Sequence, residues 1–500
     1  MSTTVDSSRL PWPHWIERVL LAAVAAIVLA HLAVDLWDGL FTMWSGSRLA
    51  FAAAVARGLD VYPTADAGVV TGDMYGPVMA LFYVPALLAP GVTAKILVAE
   101  IMTVAVMLAP AALLVTRVLR RRGLDGFGIC AALIAIVGVL LVVSSTRYQL
   151  TSIHADGPCL GLGMFSYLVL SRAARPRPLR LLAAALLVAL ATLSKPQGAF
   201  VAAGEALLLL RSAGLRPAAL FSAAYAAAVA GLGPALVFAT GSTLEGMWFN
   251  CFVIPARQAL DRGILDTTSE LCVPLVVFAL LTVAAVWFAR RPPSVGSETR
   301  PIGSVVAGLW TITLVLVPVS IAARLKIGGD VNSFHAHYYA AVATVLAGAD
   351  ALATRTSSAR VLVLACLAAS LTPLETVGNL FRLPPVLDNP HELATAYLRR
   401  HGDAYLPWHS LASLEARGEL FHHADGIHSR VLAGLPLSRD HFFAHAPRAP
   451  AYVVMPSVGR LLSPFWVHLE LVNRYYPGYV RHAAEVGELR ALDMQVFRRP

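Results

Sequence analysis

The side chains of this chain that could do chemistry lie mostly in short polar turns between long apolar runs. One turn contains His154 and Asp156, and a later one contains Lys195 and Gln197. A carboxylate next to an imidazole suits proton transfer, and a lysine beside a helix start suits phosphate binding. Asp156 also fits a helix N-cap, and Lys195 fits a side chain that extends to the lipid headgroups. The sequence leaves both kinds of role open for these residues.

Two further basic groups belong with these turns. Arg147 precedes the His154 turn, and Lys326 lies in a glycine-containing turn that is followed by Asn332. The chain has only three lysines, and two of them occupy turns of this kind. We therefore expect Lys195, Arg147, Lys326, Asn332 and Gln197 to bind a lipid-linked phosphate. His335 and His337, which follow Asn332, would face the same outer cavity as these residues.

Carboxylates are concentrated in the segment after the first apolar run. Asp38 and Asp73 are the candidate catalytic acids there, together with Asp156, because partial desolvation at a membrane boundary raises the basicity of a carboxylate. The alternative is that these are solvated loop acids beside a belt of aromatic residues. Secondary candidates are Asp35, Asp60, His154 and Tyr75.

The elements that must position these residues are membrane helices. The chain has 500 residues, 57% of them hydrophobic and 14% charged, whereas soluble domains are about 25% charged. This excludes a soluble enzyme and a disordered chain, and five cysteines exclude a disulfide scaffold. Uncharged apolar runs predict helices at 19–37, 96–119, 127–146, 157–171, 180–194, 198–210, 217–240, 272–289, 302–323, 335–353 and 360–378.

Arginine clusters indicate the orientation of these helices. They fall at alternate helix ends: Arg117 to Arg122, Arg172 to Arg180, Arg211 with Arg216, Arg290 with Arg291, and Arg355 with Arg360. The positive-inside rule places them in the cytoplasm, with the N-terminus inside and the candidate site residues outside. Crossing by Tyr75–Pro90 would reverse this pattern, so this segment is predicted to be interfacial. The prediction is eleven spans, with twelve as the alternative.

The end of the chain has a different character from the rest. From Leu380 onward, 121 residues contain 13 arginines and 11 acidic residues, a higher charge density than in the preceding part. We expect a transmembrane domain over 1–379, with an outer loop at 38–95, and a small α/β-type extracytoplasmic domain over 380–500. The fold class is therefore an all-α polytopic membrane protein with an added C-terminal domain. The stretch Arg48–Leu59 is amphipathic enough to lie on the membrane surface.

Other patterns were weighed for chemistry of their own. His422, His423 and His428 have a spacing that zinc sites use, but no cysteine or second close pair accompanies them, so no metal site is assigned. Cys251 and Cys272 bracket one outward loop and could pair. Glu205 lies inside an apolar run, where Arg211 or a helix-packing hydrogen bond would explain it. No Walker loop or dinucleotide fingerprint is present.

Five short motifs, in order along residues 35–350, resemble those of the GT-C class of polytopic glycosyltransferases. The family patterns are G-x-x-x-Y, Y-P-P-L, R-P-D, T-K-Q-x-G and G-A-x-x-N-Y. The matching segments here are Arg57-Gly58-Leu-Asp-Val-Tyr62-Pro63, Tyr75-Gly76-Pro77, His154-Ala-Asp156, Ser194-Lys195-Pro-Gln197-Gly198 and Lys326-Ile-Gly-Gly-Asp-Val-Asn332. The nearest look-alikes are bacterial members related to protein mannosyltransferases and arabinosyl-type transferases.

The resemblance implies an enzyme of the bacterial inner membrane that transfers a sugar from a polyprenyl-phosphate donor to an envelope glycan, lipid or protein acceptor. An acid in the first outer loop would deprotonate the acceptor hydroxyl, which would attack the anomeric carbon with inversion. Lys195 would stabilise the departing lipid phosphate, with Arg147 and Lys326 as helpers. The partners are then the donor, the acceptor and the bilayer, without nucleic acid. Participation of a divalent metal ion stays open, because family members differ in it.

This chain departs from the family pattern at one position. Related sequences place the acid about 13–14 residues before the glycine that Gly58 matches, where Trp44 and Ser45 stand here. Either Asp38 has taken over the role, or the alignment slips, or the chain no longer catalyses transfer. The alternatives to a transferase are therefore a silent GT-C-like scaffold and a transporter or flippase for a lipid-linked substrate.

Overall fold

The computed structural model describes residues 14–172, 176–260, 263–288, 302–326, 329–352, 389–456, 467–482 and 494–499. The predicted span 360–378 and two of the arginine pairs, Arg290 with Arg291 and Arg355 with Arg360, lie outside these residues.

Helices form the first part of the chain. Each predicted span within the described residues lies on one of them, except 127–146, which is divided between two helices at Val143. The helices are α1 His14–Gly39, α2 Met43–Ala56, α3 Pro77–Tyr83, α4 Gly91–Arg121, α5 Gly126–Val142, α6 Ser144–Thr151, α7 Asp156–Leu170, α8 Pro178–Ser194, α9 Gly198–Ala213, α10 Leu215–Ala239, α11 Leu244–Trp248, α12 Ile254–Arg257, α13 Ile264–Phe288, α14 Ile302–Leu325 and α15 His335–Leu352.

Five of the described helices are long and apolar enough to cross a membrane, namely α1, α4, α10, α13 and α14. A sixth span results if α5 and α6, which meet at a bend of 105°, are counted as one. Helices α7, α8 and α9 have 15, 17 and 16 residues, fewer than the 20 or so that a straight crossing needs. The chain is thus a multi-pass membrane protein, and the total of eleven spans stays a prediction.

Burial divides the bundle into inner and outer helices. Most side chains of α7 and α15 are buried. Helices α10 and α13 instead expose large apolar side chains, such as Phe238, Leu280 and Val283, each more than 60% exposed. Apolar surface that no protein covers on a membrane helix is the surface that lipid covers. The polar ends of α7, α8 and α15 therefore lie at the centre of the bundle.

Two features hold the turn between α8 and α9 tightly. The Lys195 N–H donates to the carbonyl of Ala191 at 3.0 Å. A Cβ atom on Gly198 would lie 2.6 Å from the Thr192 nitrogen. No residue with a Cβ atom fits this close contact with the α8 backbone. Glycine therefore allows α8 and α9 to be joined by only three residues, and Lys195 is the first of them.

The segment between α1 and α4 forms a separate layer. Helix α3 and the 3₁₀ turn Val84–Leu88 together span twelve residues, too few to cross a bilayer, as the interfacial prediction requires. Helix α2 is not the surface helix that its amphipathic pattern suggested. Its residues Ser45–Ser47 and Leu49–Ala54 are buried. The reason is that the C-terminal part of the chain covers it.

That C-terminal part combines helices with a small sheet, as the α/β-type prediction requires. The helices are α16 Pro390–Arg400, α17 Ser410–Arg417, α18 Ala424–Leu432, α19 Arg439–Ala444 and α20 Val467–Tyr475. The strands are β1 Ala404–Tyr405, β2 Tyr452–Pro456, β3 Val480–His482 and β4 Met494–Arg498, in the order β1-β2-β4-β3. Strand β1 pairs with β2 in parallel, and the β2–β4 and β3–β4 pairs are antiparallel. Helix α17 packs against α2, which connects this part to the outer layer.

Candidate active site

The carboxylate of Asp156, the first residue of α7, is the centre of the candidate site. Its Oδ1 accepts hydrogen bonds from Lys195 Nζ, at 2.6 Å, and from His335 Nε2. Its Oδ2 accepts one from Asn332 Nδ2, at 3.1 Å, and contacts His154 Nδ1. All five residues are buried, with at most 9% of the surface of any of them exposed. Residues from three separate segments of the sequence thus converge on one carboxylate, which we call the Asp156 cluster.

This arrangement defines what Asp156 can do chemically. A carboxylate has about four acceptor positions, and here four side chains approach them. Its lone pairs therefore hold donors in place and are not free to take a proton from a substrate. Asp156 holds the Lys195 ammonium group in place, and the Lys195 side chain remains 11% exposed.

Tyr75 extends the cluster toward the outer layer. Its hydroxyl lies 2.7 Å from His154 Nε2, and Lys195 Nζ lies 5.7 Å from the centre of its ring. Burial lowers the pKa of His154 to about 3, in spite of the opposite effect of Asp156. A neutral His154 that donates from Nδ1 to Asp156 accepts the Tyr75 hydroxyl proton at Nε2. The sequence had placed Tyr75 only among secondary candidates.

Backbone contacts fix the segments that carry these side chains. The Tyr83 hydroxyl donates to the carbonyl of His154 at 3.0 Å and also accepts the N–H of that residue at 3.2 Å. The Gly76 N–H donates to the carbonyl of Ser194 at 3.0 Å, which joins the start of α3 to the end of α8. The Ser194 hydroxyl in turn donates to the carbonyl of Ala155 at 2.9 Å. The three turns therefore behave as one unit.

Gln197 lies beside the cluster and does not enter it. Its Nε2 donates to the carbonyl of Ser333, at 3.4 Å, and its Oε1 is buried without a hydrogen-bond partner in the part of the chain that the structure describes. Gln149 Nε2 donates to the carbonyl of Asn332 at 2.8 Å. Both amides thus hold the turn that presents Asn332 and His335.

Other predicted site residues are held elsewhere. Asp35 and Asp38 are at the end of α1, and the charge of Arg147 acts on both. Asp60 Oδ1 accepts hydrogen bonds from Ser242 Oγ and from the Tyr62 N–H, at 2.5 and 2.8 Å, which closes a local turn. Lys326 Nζ donates to the carbonyl of Pro255 at 2.8 Å. In the part of the chain that is described, none of these five predicted residues is bonded to the Asp156 cluster.

Asp73 has a different environment from the other loop acids. It is completely buried, its Oδ1 accepts the Tyr75 N–H at 3.0 Å, and its Oδ2 has no hydrogen-bond partner among the described residues. Burial raises the pKa of Asp73 to about 8. At neutral pH the carboxyl group is therefore largely protonated, so it adjoins the cluster through Tyr75 as an acid and not as a base.

The position where the family pattern places its acid is next to a carboxylate from another helix. Ser45 Oγ donates to Glu100 Oε1, on α4, at 3.2 Å. Sequence reasoning missed Glu100, although it lies in an apolar run, and the rule that singled out Glu205 applies to it equally. Glu205 itself accepts a hydrogen bond from Ser166 Oγ at 2.7 Å, which is the helix-packing bond considered above, and not one from Arg211.

Arg48 is the second cation near the cluster, and the sequence had assigned it no chemistry. Its guanidinium donates to the carbonyl of Ile153, next to His154, and to the Tyr148 hydroxyl, at 3.3 and 2.8 Å. It also lies 5.2 Å from the centre of the Trp44 ring, within the range of a cation–π interaction. Arg48 thus connects the buried α2 to the turn that contains His154.

The C-terminal histidines bind the backbone of the outer loop. His422 Nδ1 accepts the Val70 N–H at 2.9 Å, and the His423 N–H donates to the carbonyl of Val70 at 2.8 Å. His441 Nε2 lies 2.8 Å from the carbonyl of Gly68. Among the described residues there is no group of three metal-ligating side chains.

The suggested disulfide is also wrong. Cys251 and Cys272 are free thiols. The Cys251 thiol donates instead to the carbonyl of Tyr75 at 3.1 Å.

Comparison with known proteins finds similarity among solved structures. No protein-family model matches the chain, and no curated protein matches it either. The solved structure of the archaeal oligosaccharyltransferase AglB from Archaeoglobus fulgidus, in complex with an inhibitory peptide and a dolichol-phosphate, is similar to it with 13% sequence identity and a TM-score of 0.41. The similarity covers 77% of this chain and 58% of that one, so the chain spans less than two thirds of the length of the archaeal enzyme.

Proposed function

We propose that this protein is a membrane glycosyltransferase that moves a sugar from a polyprenyl-phosphate donor to a cell-envelope acceptor, with inversion at the anomeric carbon. The observation that carries the proposal is the Asp156 cluster at the polar ends of the central helices. It places a lysine ammonium, two imidazoles and an amide around one carboxylate, in a bundle whose outer helices expose apolar side chains. A lipid-linked phosphate needs this combination of a fixed cation and a neighbouring apolar surface.

Lys195 would hold the phosphate of the donor. Its ammonium group has three N–H donors, and Asp156 takes one of them among the described residues. The side chain is 11% exposed, whereas that of Asp156 is completely buried. The remaining donors can therefore point to a phosphate oxygen at the edge of the bundle, while Asp156 fixes the direction of the side chain.

The cluster would act most strongly as the sugar leaves the lipid. When the acceptor oxygen bonds to the anomeric carbon, the bond from that carbon to the phosphate oxygen breaks, and the electron pair stays on the phosphate. The negative charge of the phosphate then grows, and a preorganised ammonium group in a site with little water stabilises it more than bulk water does. Lys195 thus lowers the energy of the transition state more than that of the bound donor.

The proposal also includes an orientation and a location. The Arg117–Arg122 cluster is at the opposite end of α4 from the outer layer. With this cluster in the cytoplasm, the Asp156 cluster and the C-terminal part are on the outer side of a bacterial inner membrane. An envelope glycan, lipid or protein would then be the acceptor, because such acceptors are exposed on that side.

The test is transfer of labelled sugar from synthetic polyprenyl-phosphate hexoses and pentoses by the purified protein in liposomes. We expect transfer by the wild type and a loss of about 10²- to 10³-fold in Lys195→Ala, comparable to the removal of one donor from an oxyanion site. The variant Asp38→Asn tests the base that the sequence suggested. Activity in both variants would refute these site assignments.

The same liposomes separate the transferase from its rivals. If no donor supports transfer but lipid-linked sugar moves across the bilayer, the protein is a flippase. If neither activity is found and the donor still binds, the silent scaffold is correct.

A further inference from the structure

Asp425 is an acid near the Asp156 cluster that no motif singled out. It is in the first turn of α18, in the C-terminal part of the chain. The charge of Arg48 acts on the Asp425 carboxylate, and both charges act on the Tyr75 hydroxyl. Arg48 also donates to the carbonyl of Ile153, so the cation that acts on Asp425 is bonded to the turn that leads into the cluster.

The backbone around Asp425 sets its position relative to Tyr75. The N-terminus of α18 touches the outer loop so closely that a Cβ atom on Gly72 would lie 2.9 Å from the Gly426 nitrogen and 3.3 Å from Asp425 Oδ2. Gly72 also has a φ of +84°, a conformation that other residues rarely adopt. Only two residues separate Gly72 from Tyr75, so the loop that carries Tyr75 also lies against the Asp425 carboxylate.

Asp425 differs from the other acids of the site in its hydrogen bonding. Both oxygens of Asp156 are occupied, and Asp73 is completely buried. The Asp425 carboxylate accepts no hydrogen bond from the described residues, and its side chain is partly exposed. It does not act as the cap of α18 either, because the His423 side chain accepts the Asp425 N–H at 3.3 Å. Its lone pairs are therefore available to a substrate.

We propose that Asp425 is the general base of the transfer, supplied by the C-terminal part of the chain and not by the first loop. One carboxylate oxygen takes the proton from the acceptor hydroxyl as the acceptor oxygen bonds to the anomeric carbon. The bond from that carbon to the phosphate oxygen breaks, and the electron pair leaves with the lipid phosphate beside Lys195. The acceptor would thus enter between the C-terminal part and α2. This assignment rests on the proposed function.

The ionisation of Asp425 suits that role. Burial raises the pKa of Asp425 to about 6, and the facing charge of Arg48 limits the rise. The group is then deprotonated at neutral pH and more basic than an ordinary aspartate, which is what a general base requires. Arg48 and the Tyr75 phenol face it from the outer layer, and His423 is its neighbour on the same turn.

The experiment measures sugar transfer by Asp425→Asn, with Asp440→Asn as the matched control. Asp440 is an exposed acid in the first turn of α19, in the same part of the chain. Loss of a general base lowers the rate by about 10²- to 10⁴-fold, and we expect this loss in kcat for Asp425→Asn and none for Asp440→Asn. Binding of the polyprenyl-phosphate donor should stay unchanged, since Asp425 does not contact the phosphate.

Two readouts separate a base from a structural residue. The wild-type kcat should rise with pH until about pH 6 and then level off, because the base works deprotonated, and Asp425→Asn should lose this dependence. Formate, a small carboxylate, should restore part of the activity of Asp425→Ala. If neither variant folds, Asp425→Glu, which keeps the charge, should retain activity and the pH dependence.

The outcomes are distinguishable. Wild-type transfer with an Asp425→Asn variant that stays within about threefold of it would overturn the assignment and leave the proposed function standing. Loss of activity together with donor binding, or without rescue by formate, would make Asp425 a structural residue and also overturn it. A wild type inactive with every donor would refute the proposed function itself, and the assignment with it.

Discussion

Replacement of Lys195 by methionine tests the Asp156 cluster by removing the hydrogen bond between Lys195 and Asp156. The substitution keeps an unbranched apolar stem and removes the ammonium group from Asp156, 2.6 Å away. A hydrogen bond to a charged group contributes about 1.5–3 kcal/mol, and removal of one member of a buried ion pair costs about 3–5 kcal/mol when the other member is left alone. Asp156 keeps three other partners. We therefore expect the free energy of unfolding to fall by about 2–3 kcal/mol, toward the lower of these ranges.

Lys95→Met is the matched control. Lys95 Nζ donates to Glu415 Oε2 at 2.8 Å, and the side chain is 13% exposed compared with 11% for Lys195. The two lysines thus differ mainly in their acid partner, because Glu415 is 17% exposed and also contacts Arg57. Because Glu415 is less buried than Asp156 and keeps Arg57 as a second cation, this variant should lose about 1–2 kcal/mol less than Lys195→Met.

The assay is reversible unfolding of the purified protein in mixed micelles, followed by tryptophan fluorescence, with sugar transfer measured in parallel. The double variant Lys195→Met/Asp156→Asn should be less destabilised than the two single changes added together, because it removes both charges. The reasoning is refuted if the two lysine variants lose equal stability, or if the single effects simply add. A stable Lys195→Met that transfers sugar at the wild-type rate would remove Lys195 from the site.

Three further predictions concern the surroundings of the cluster. Burial raises the pKa of Asp73 to about 8, so the folded state binds the carboxyl proton more tightly than the unfolded state does. The stability of the wild type should therefore fall as pH rises from about 4 to 8. Unfolding measured at several pH values should show this slope in the wild type and not in Asp73→Asn. Arg430 is 1% exposed and donates at 2.7 Å to two carbonyls of the outer loop. Arg430→Met should therefore lower the free energy of unfolding by about 2–4 kcal/mol and speed proteolysis of that loop. Arg439→Met, which replaces an exposed arginine, should have neither effect. Gly76→Ala would press a Cβ atom into the carbonyl of Leu193, so we expect weaker donor binding and a lower unfolding midpoint; an unchanged midpoint would contradict the close approach.

The positions of the helices and of the polar turns between them can be predicted from the sequence. Long uncharged runs predict helices because burial in a bilayer requires every backbone hydrogen bond to form within the segment. Every predicted span that the structure describes lies on one helix, except 127–146, which α5 and α6 share across a bend, and Tyr75–Pro90 contains a helix too short to cross. The polar turns that begin α7 and end α8 stand out for the same reason, since charge is rare there. His154, Asp156, Lys195 and Asn332 were therefore all within reach of sequence reasoning.

The sequence did not reveal which other residues these side chains contact in the fold. The sequence suggested Asp38 as the base and Lys326 as a phosphate ligand, but one lies at the end of α1 and the other bonds a carbonyl of another turn. It treated α2 as a surface helix, because the amphipathic pattern does not reveal that a segment more than 300 residues later covers it. The C-terminal histidines had a metal-like spacing, yet they bind loop backbone.

What the sequence by itself determined is where helices begin and end and which side chains are costly to leave in a membrane, because both depend on local composition. Only the tertiary structure decided which of those side chains meet. Asp156 is paired with a lysine 39 positions away and a histidine 179 positions away, and no local pattern encodes such distances. The charges of Arg48 and Asp425, which are far apart in the sequence, also interact only in the folded chain. Their encounter depends on how a bundle of helices and a later small domain pack, and packing is a property of the whole chain.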